Sequence, residues 1–230
     1  MMRLFTCMIL ILFGCTPAAF KQDPCAALHP PAGMVCIPGA KFIRGSNLPS
    51  KDEDTGKMVT DEAPEEVVEV STIFMDIYEV TFSDFQKCIA AGKCRAAHPN
   101  YTGYSNPRMP MLGVNWFDSR DYCAFVGKRL PTEAEWEHAA RGDAGEIFPW
   151  GNEPATCARA IIQENGKKGC GPGTTVDVGS RPAYRYGLYD MAGNSWEWVN
   201  DWYSPGYAKC GDDCRGKDPK GPCKGADVCP

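Results

Sequence analysis

Gly187-Leu188-Tyr189-Asp190-Met191-Ala192-Gly193-Asn194-Ser195-Trp196-Glu197-Trp198-Val199-Asn200-Asp201-Trp202-Tyr203 crowds indoles and oxygen-bearing side chains around one glycine. Trp196, Trp198 and Trp202 are large apolar groups, and each is expected to need a packed environment. Asp190, Asn194, Glu197, Asn200 and Asp201 place hard oxygens between them. Carboxylates buried beside indoles are costly unless backbone N–H groups, arginines or a cation compensate them. This stretch therefore poses the functional question for the whole chain.

Outward from it, three further stretches carry organised signals. Thr132-x-x-Glu135 reads as a capping box opening a helix over 132–141, with Trp136, Ala139 and Ala140 inward and Gly142 as the stop. Glu79-Val80-Thr81 leads into a helix over 81–91, capped by Thr81 or Ser83, with Phe82, Phe85 and Ile89 on one face and Gly92 at its end. Val114 to Trp116 introduces a helix over 117–126 with Asp118 near its start and Tyr122, Cys123 and Val126 inward. Val35 to Phe42 reads as a strand broken by Pro38-Gly39, and Val67, Val68 and Val70 as a β-prone run. Lys51 to Glu66, charged and without apolar period, reads as a solvated loop. Tyr101 and Tyr104 either line a peptide groove or cover a core.

The motifs resemble the formylglycine-generating, or sulfatase-modifying factor, family. The resemblance rests on Gly187 to Asn194 followed by Trp196-Glu197-Trp198, on Glu79-Val80-Thr81 with Phe85, on Gly127-Lys128-Arg129-Leu130-Pro131-Thr132-Glu133-Ala134-Glu135-Trp136-Glu137, and on Pro149-Trp150-Gly151-Asn152. It implies one irregular α+β domain, loop-rich, with a C-type-lectin-like fold. It also implies a calcium site at the side chains of Asp190 and Glu197 and the carbonyls of Gly193 and Ser195, an arrangement that suits a cation taking several oxygens from a curved backbone. The alternative is that the two carboxylates only satisfy turn amides. The family's other calcium stretch is put in doubt, because this chain reads Cys157-Ala158-Arg159-Ala160-Ile161-Ile162 there.

In that family, oxidation of a substrate cysteine to formylglycine rests on a copper-binding Cys-x4-Cys pair after a Gly-Gly-Ser segment. No such pair occurs here, so copper is not expected. The end at Pro230 is read as a truncated copy or a fragment. Two functions follow: a non-catalytic binding or scaffold module stiffened by calcium, whose ligand is a peptide or protein, or a formylglycine-generating oxidoreductase if a longer form supplies the pair. His29, His98 and His138 are scattered, and no Gly-x-Ser-x-Gly or phosphate loop offers another enzyme class.

The N-terminus suggests export. Residues 1–14 hold Arg3 and an apolar run from Met8 to Phe13, too short for a permanent span, and read as a signal peptide. Leu12-Phe13-Gly14-Cys15 is similar to a bacterial lipobox, with Cys15 lipidated, residues 15–24 a tether and residues 25–230 the domain. The expected location is the bacterial cell envelope, with the membrane as a partner through the lipid. Net charge is −5 and no basic cluster is present, which argues against nucleic acid.

Thirteen cysteines in an exported chain read as a disulfide framework. Local spacing pairs Cys25 with Cys36, Cys88 with Cys94 and Cys157 with Cys170, and leaves Cys123 as a buried free thiol. Cys210, Cys214, Cys223 and Cys229 remain ambiguous, with a four-thiolate zinc site as the rival to two bridges.

Overall fold

Along Ala40–Arg44 and Glu66–Val70 every second residue turns inward, the period of two that a half-buried strand imposes. These segments, β2 and β5, pair antiparallel with Phe42 opposite Val68 and Ala40 opposite Val70, so the inward face of the ribbon is apolar except at its end, where the buried Arg44 pairs with Glu66 opposite it. The computed structural model describes residues 24–51, 56–98, 100, 103–207 and 210–229. The signal segment, most of the tether, Cys15 and Tyr101 lie outside them.

A second ribbon pairs β1 (Met34–Ile37) with β6 (Ile73–Asp76), so the break expected at Pro38-Gly39 is real and sends the two halves, β1 and β2, into different ribbons. Within the segment read as a solvated loop, β3 (Ser50–Lys51) and β4 (Met58–Val59) form a third, very short ribbon. Two-residue strands are too short to leave a periodic signal, which is why the charged composition hid them. Glu69 N–H donates to Gly216 O at 2.8 Å and Asp218 N–H to Glu69 O at 2.7 Å, so residues 216–218 run along the outer edge of β5. Asp218 also accepts from the N–H and hydroxyl of Ser71 at 2.6 and 2.7 Å.

Three helices fall where the capping residues place them. In α1 (Phe82–Ala90) Thr81 caps, accepting from Asp84 N–H at 3.2 Å. In α2 (Trp116–Phe125) the cap is Asn115, paired reciprocally with Asp118. In α3 (Glu133–Arg141) the Thr132–Glu135 box forms as predicted. Val126, expected inward, is exposed, because α2 ends at Phe125 and the chain is already turning toward Gly127.

The core is organised on α3. Ala134 packs against Phe42, Val68 and Val70, while Ala139 and Ala140 pack against Ile37, Leu188 and Met191. Burying a side chain such as Phe42 or Leu188 contributes roughly 1.5–3 kcal/mol. Two residues of the 187–203 stretch are thus anchored in the core against α3. A third cluster joins α1 to α2 through Phe85 stacked on Tyr122, ring centroids 5.3 Å apart.

Arg129 does pair with Glu135, bidentately at 2.7 and 2.6 Å, but the arginine is exposed and the carboxylate buried, the reverse of a buried arginine. Glu137 instead accepts from Gly45 N–H at 2.8 Å and from Arg141. His138 is fully buried and bonded to Asp143 at 2.9 Å, a packing role.

The disulfides are Cys25–Cys36, Cys88–Cys94, Cys157–Cys170, Cys210–Cys214 and Cys223–Cys229. The four ambiguous cysteines form two bridges, which removes the thiolates that a zinc site would use. Cys123 is the one free cysteine among the described residues and is half-buried.

Candidate functional site: a carboxylate and indole cleft

The 187–203 stretch is fastened to the elements around it by backbone hydrogen bonds and by its own indoles. Asn200 N–H donates to Pro131 O at 2.8 Å, and Asp201 Oδ2 accepts Glu133 N–H at 2.9 Å at the start of α3, where a carboxylate suits the unpaired amides. Trp116 Nε1 donates to Val199 O at 2.8 Å, and Trp198 Nε1 donates to Val114 O at 3.0 Å. Trp202 Nε1 donates to Ala226 O at 2.6 Å.

The three tryptophans are not packed as expected. Trp196 is 85 % exposed, Trp198 49 % and Trp202 38 %. The N–H groups of Trp198 and Trp202 are satisfied by backbone carbonyls, so those indole edges are pinned while much of the rings stays in solvent. The indole that packs beside a carboxylate is Trp136 of α3, whose Nε1 donates to Glu197 Oε2 at 2.7 Å.

Behind this bond lies a cleft of about 650 Å³, bordered by Glu79, Cys123, Trp136, Ser195, Trp196 and Glu197 among others. Ser195 to Trp198 also border a second cavity, beside Arg95 and Asp118, and so act as a partition between the two.

Glu79 is the residue whose place in the site sequence reasoning missed, having read it as the lead-in to α1 and as part of a family motif. Its Oε2 accepts from Asn194 Nδ2 at 2.7 Å, while its Oε1 is buried without a hydrogen-bond partner. Burial pushes its carboxyl up to about 9, and the nearby Glu197 and Asp190 add to that, against the opposing Asn194 amide and Ser195 backbone N–H. Glu197 is pushed up to about 7, again mainly by burial of its carboxyl, although the residue as a whole is exposed through its other atoms. The discernible signal was an acid between Tyr78 and Val80, directly ahead of a helix cap, in the company of apolar residues.

Of the four residues expected to hold calcium, Ser195 and Glu197 border the cleft and Asp190 and Gly193 do not. Asp190 Oδ2 accepts Gly179 N–H at 2.7 Å, and burial raises its carboxyl. Gly193 carries φ +92°, and a Cβ there would overlap the Ile161 carbonyl, so glycine is required. Its own carbonyl accepts Ser195 N–H at 2.9 Å. The donor set suits a hard cation in kind, since it is all oxygen on a backbone curved by positive φ at Asp190, Gly193 and Asn194. Among the described residues no three or more His, Cys, Asp or Glu side chains gather as a metal cluster, so any cage here relies on carbonyls as well as carboxylates.

The sulfatase-modifying factor enzyme 1-like domain matches residues 20–226. The chain belongs to that family. It is 30% identical to the formylglycine-generating enzyme of Bos taurus, over 86% of this chain and 64% of that protein. The chain therefore spans less than two thirds of the bovine relative's length. It is 28% identical to the inactive C-alpha-formylglycine-generating enzyme 2 of Mus musculus, over 80% of this chain and 71% of the relative. In fold it is similar to PvdO from Pseudomonas aeruginosa, with TM-score 0.65 at 26% identity, over 85% of this chain and 78% of that one. The family's loop-rich α+β architecture is the one described above. Among the described residues the chain's five disulfides suit an exported protein, and no helix is long and apolar enough to cross a membrane.

Proposed function

We propose that the chain is a cell-envelope lipoprotein, anchored by lipid on Cys15, whose family domain is a non-catalytic binding module stiffened by calcium. The observation that carries the non-catalytic reading is the state of the thiols. Among the described residues every cysteine but Cys123 is bridged, and none of these bridges joins a Cys-x4-Cys pair. Cys123 is itself a poor thiolate, since burial, with Asp76 nearby, pushes it up to about 11. The name of the murine relative supports the reading to the extent that a protein of this family is called inactive. Calcium would be held by Asp190 and Glu197 with the carbonyls of Gly193 and Ser195. It would supply charge neutralisation where burial now opposes ionisation. The ligand is a peptide or protein segment that fills the cleft.

The direct test is to load the protein with copper, add a sulfatase-type cysteine peptide and assay the peptide for aldehyde. No aldehyde is expected, and its formation would replace this reading with the formylglycine-generating one, which the bovine relative's name favours. Millimolar calcium should raise the melting temperature, and Asp190→Ala should abolish the rise, because a ligand that binds only the folded state stabilises it. A wild-type protein indifferent to calcium and to chelator would remove the cation from the proposal. Cys15→Ser should abolish labelling by a lipid precursor, and unchanged labelling would remove the anchor.

A further inference from the structure

The ribbon of β1 and β6 has two unlike faces. Val35, Ile37, Ile73 and Met75 turn inward and join the core cluster on α3. Met34, Cys36, Phe74 and Asp76 turn the other way, because the side-chain period of a strand is two. On that outer face Phe74 is exposed and stands directly opposite Cys36, and Cys36 is bridged to Cys25. The chain thus enters the domain beside an exposed aromatic ring. The same ring borders the cleft, where Tyr78, Val126, Trp196 and Trp198 are exposed as well. Large apolar side chains gathered around one opening make a patch of the kind that marks an interaction surface.

We infer that this rim seats on the lipid bilayer to which Cys15 anchors the chain, with Phe74 and Trp196 entering the headgroup layer. The covalent frame favours a lipid surface over a protein partner. Cys25 follows Cys15 by ten residues, and its bridge to Cys36 fixes the point of entry on the face that carries Phe74. A chain of that length reaches at most about 35 Å when fully extended, so lipid on Cys15 holds this side of the domain within that distance of the bilayer. The side chains suit such a surface too, since Trp and Tyr settle where water meets hydrocarbon. Trp198 already gives its Nε1–H to Val114 O, so its exposed ring meets lipid without stranding a donor. Asp76 is paired with Lys128 and Glu135 with Arg129 beside the opening, which lowers the cost of bringing those charges near the lipid. Net charge is −5 and no basic cluster is present, so the attraction is apolar and independent of anionic lipid. Seated in this way, the cleft is reached along the bilayer surface. The inference rests on the lipoprotein reading.

The experiment reconstitutes the intact acylated protein in phosphatidylcholine vesicles, with and without acyl chains brominated close to the headgroup, and reads the quenching of tryptophan fluorescence. Wild-type protein should float with the vesicles and be quenched, and added phosphatidylglycerol should leave the quenching unchanged. Trp196→Ala should lose a large part of it. Phe74→Ser, which removes no fluorophore, should weaken it, while Leu48→Ser, at an exposed apolar residue that does not border the cleft, should not. Either of the first two variants decides the matter if the other fails to fold. Protein that floats without being quenched, quenching that requires phosphatidylglycerol, quenching unchanged in the rim variants, or an equal loss in Leu48→Ser would each overturn the inference and leave the lipoprotein reading standing. Wild-type protein that does not float would overturn the lipoprotein reading and this inference with it.

Discussion

Asn194 donates its side-chain amide to Glu79 Oε2 at 2.7 Å, across 115 residues of chain, and so ties the apex of the aromatic turn to the residue that leads into α1. Asn194 stands at φ +63° to reach that position, and its Oδ1 accepts from Val176 N–H at 3.0 Å on the other side. One amide thus orients a carboxyl that is otherwise surrounded by acids and apolar groups. The chemistry of the cleft depends on that carboxyl.

Glu79 sets the first prediction. Its carboxyl titrates near 9 in the folded chain against 4.5 for the ordinary group, so folding favours the protonated form. The stability it contributes is complete at low pH and is lost as pH rises through about 9. Glu197, at about 7, adds to the loss over the lower part of that range. In chelator, the melting temperature should therefore fall as pH rises from about 4.5 to about 9, and Glu79→Gln should flatten the fall. Identical slopes for the two proteins would show that Glu79 is ionised in the folded state.

The capping box at α3 is the second. Thr132 accepts Glu135 N–H at 3.2 Å while Glu135 accepts Thr132 N–H at 2.9 Å. Thr132→Ala should cost about 1 kcal/mol in urea unfolding, with the m-value unchanged. Since α3 supports both main core clusters, the loss should appear in global unfolding and not as fraying of one helix end.

Gly193→Ala should be among the more damaging single changes in the turn. Alanine at φ +92° is strained by about 1–3 kcal/mol, and its Cβ would also meet the Ile161 carbonyl. Gly187→Ala makes the control, because Gly187 also has positive φ, +81°, but nothing lies within 4 Å of a Cβ there. Thermal melts should show Gly193→Ala falling well below Gly187→Ala, and equal losses would mean that strain alone decides.

Thiol mapping checks the covalent frame. Alkylation under non-reducing, denaturing conditions should modify Cys123 alone within the span Cys25 to Cys229, and the native protein should react slowly because the thiol is held protonated. Release of zinc together with four new thiols in the span Cys210 to Cys229 would contradict the two bridges there.

Much of the scaffold could be read from the residues. Thr132 with Glu135 and Thr81 with Gly92 carry local signals, because a helix end must satisfy its own amides within one turn. Close cysteine pairs such as Cys88 and Cys94 are also legible, since short loops limit the partners within reach. The site was less so. Trp196, Trp198 and Trp202 suggested burial by their composition, but carbonyls of Val114 and Ala226, distant in sequence, hold the last two by their edges. Glu79 drew no notice because its carboxyl is shifted mainly by burial, and the acids that add to it, Glu197 and Asp190, lie more than a hundred residues away. Packing of that range leaves no mark on spacing or periodicity.

The strip at 216–218 along β5 bears on how the molecule behaves at high concentration. A two-stranded ribbon ordinarily offers its outer amides to any neighbouring chain and can seed polymerisation. Here Glu69 spends both backbone groups on that strip, and Asp218 locks the N–H and hydroxyl of Ser71. On the far side of the ribbon, Ile43 N–H donates to Asp143 O at 3.2 Å. The strip works as a seal: peeled away, by a protease cut before Gly216 or by loss of Asp218, it would leave the outer backbone groups of β5 open to strand-upon-strand stacking with a neighbouring chain.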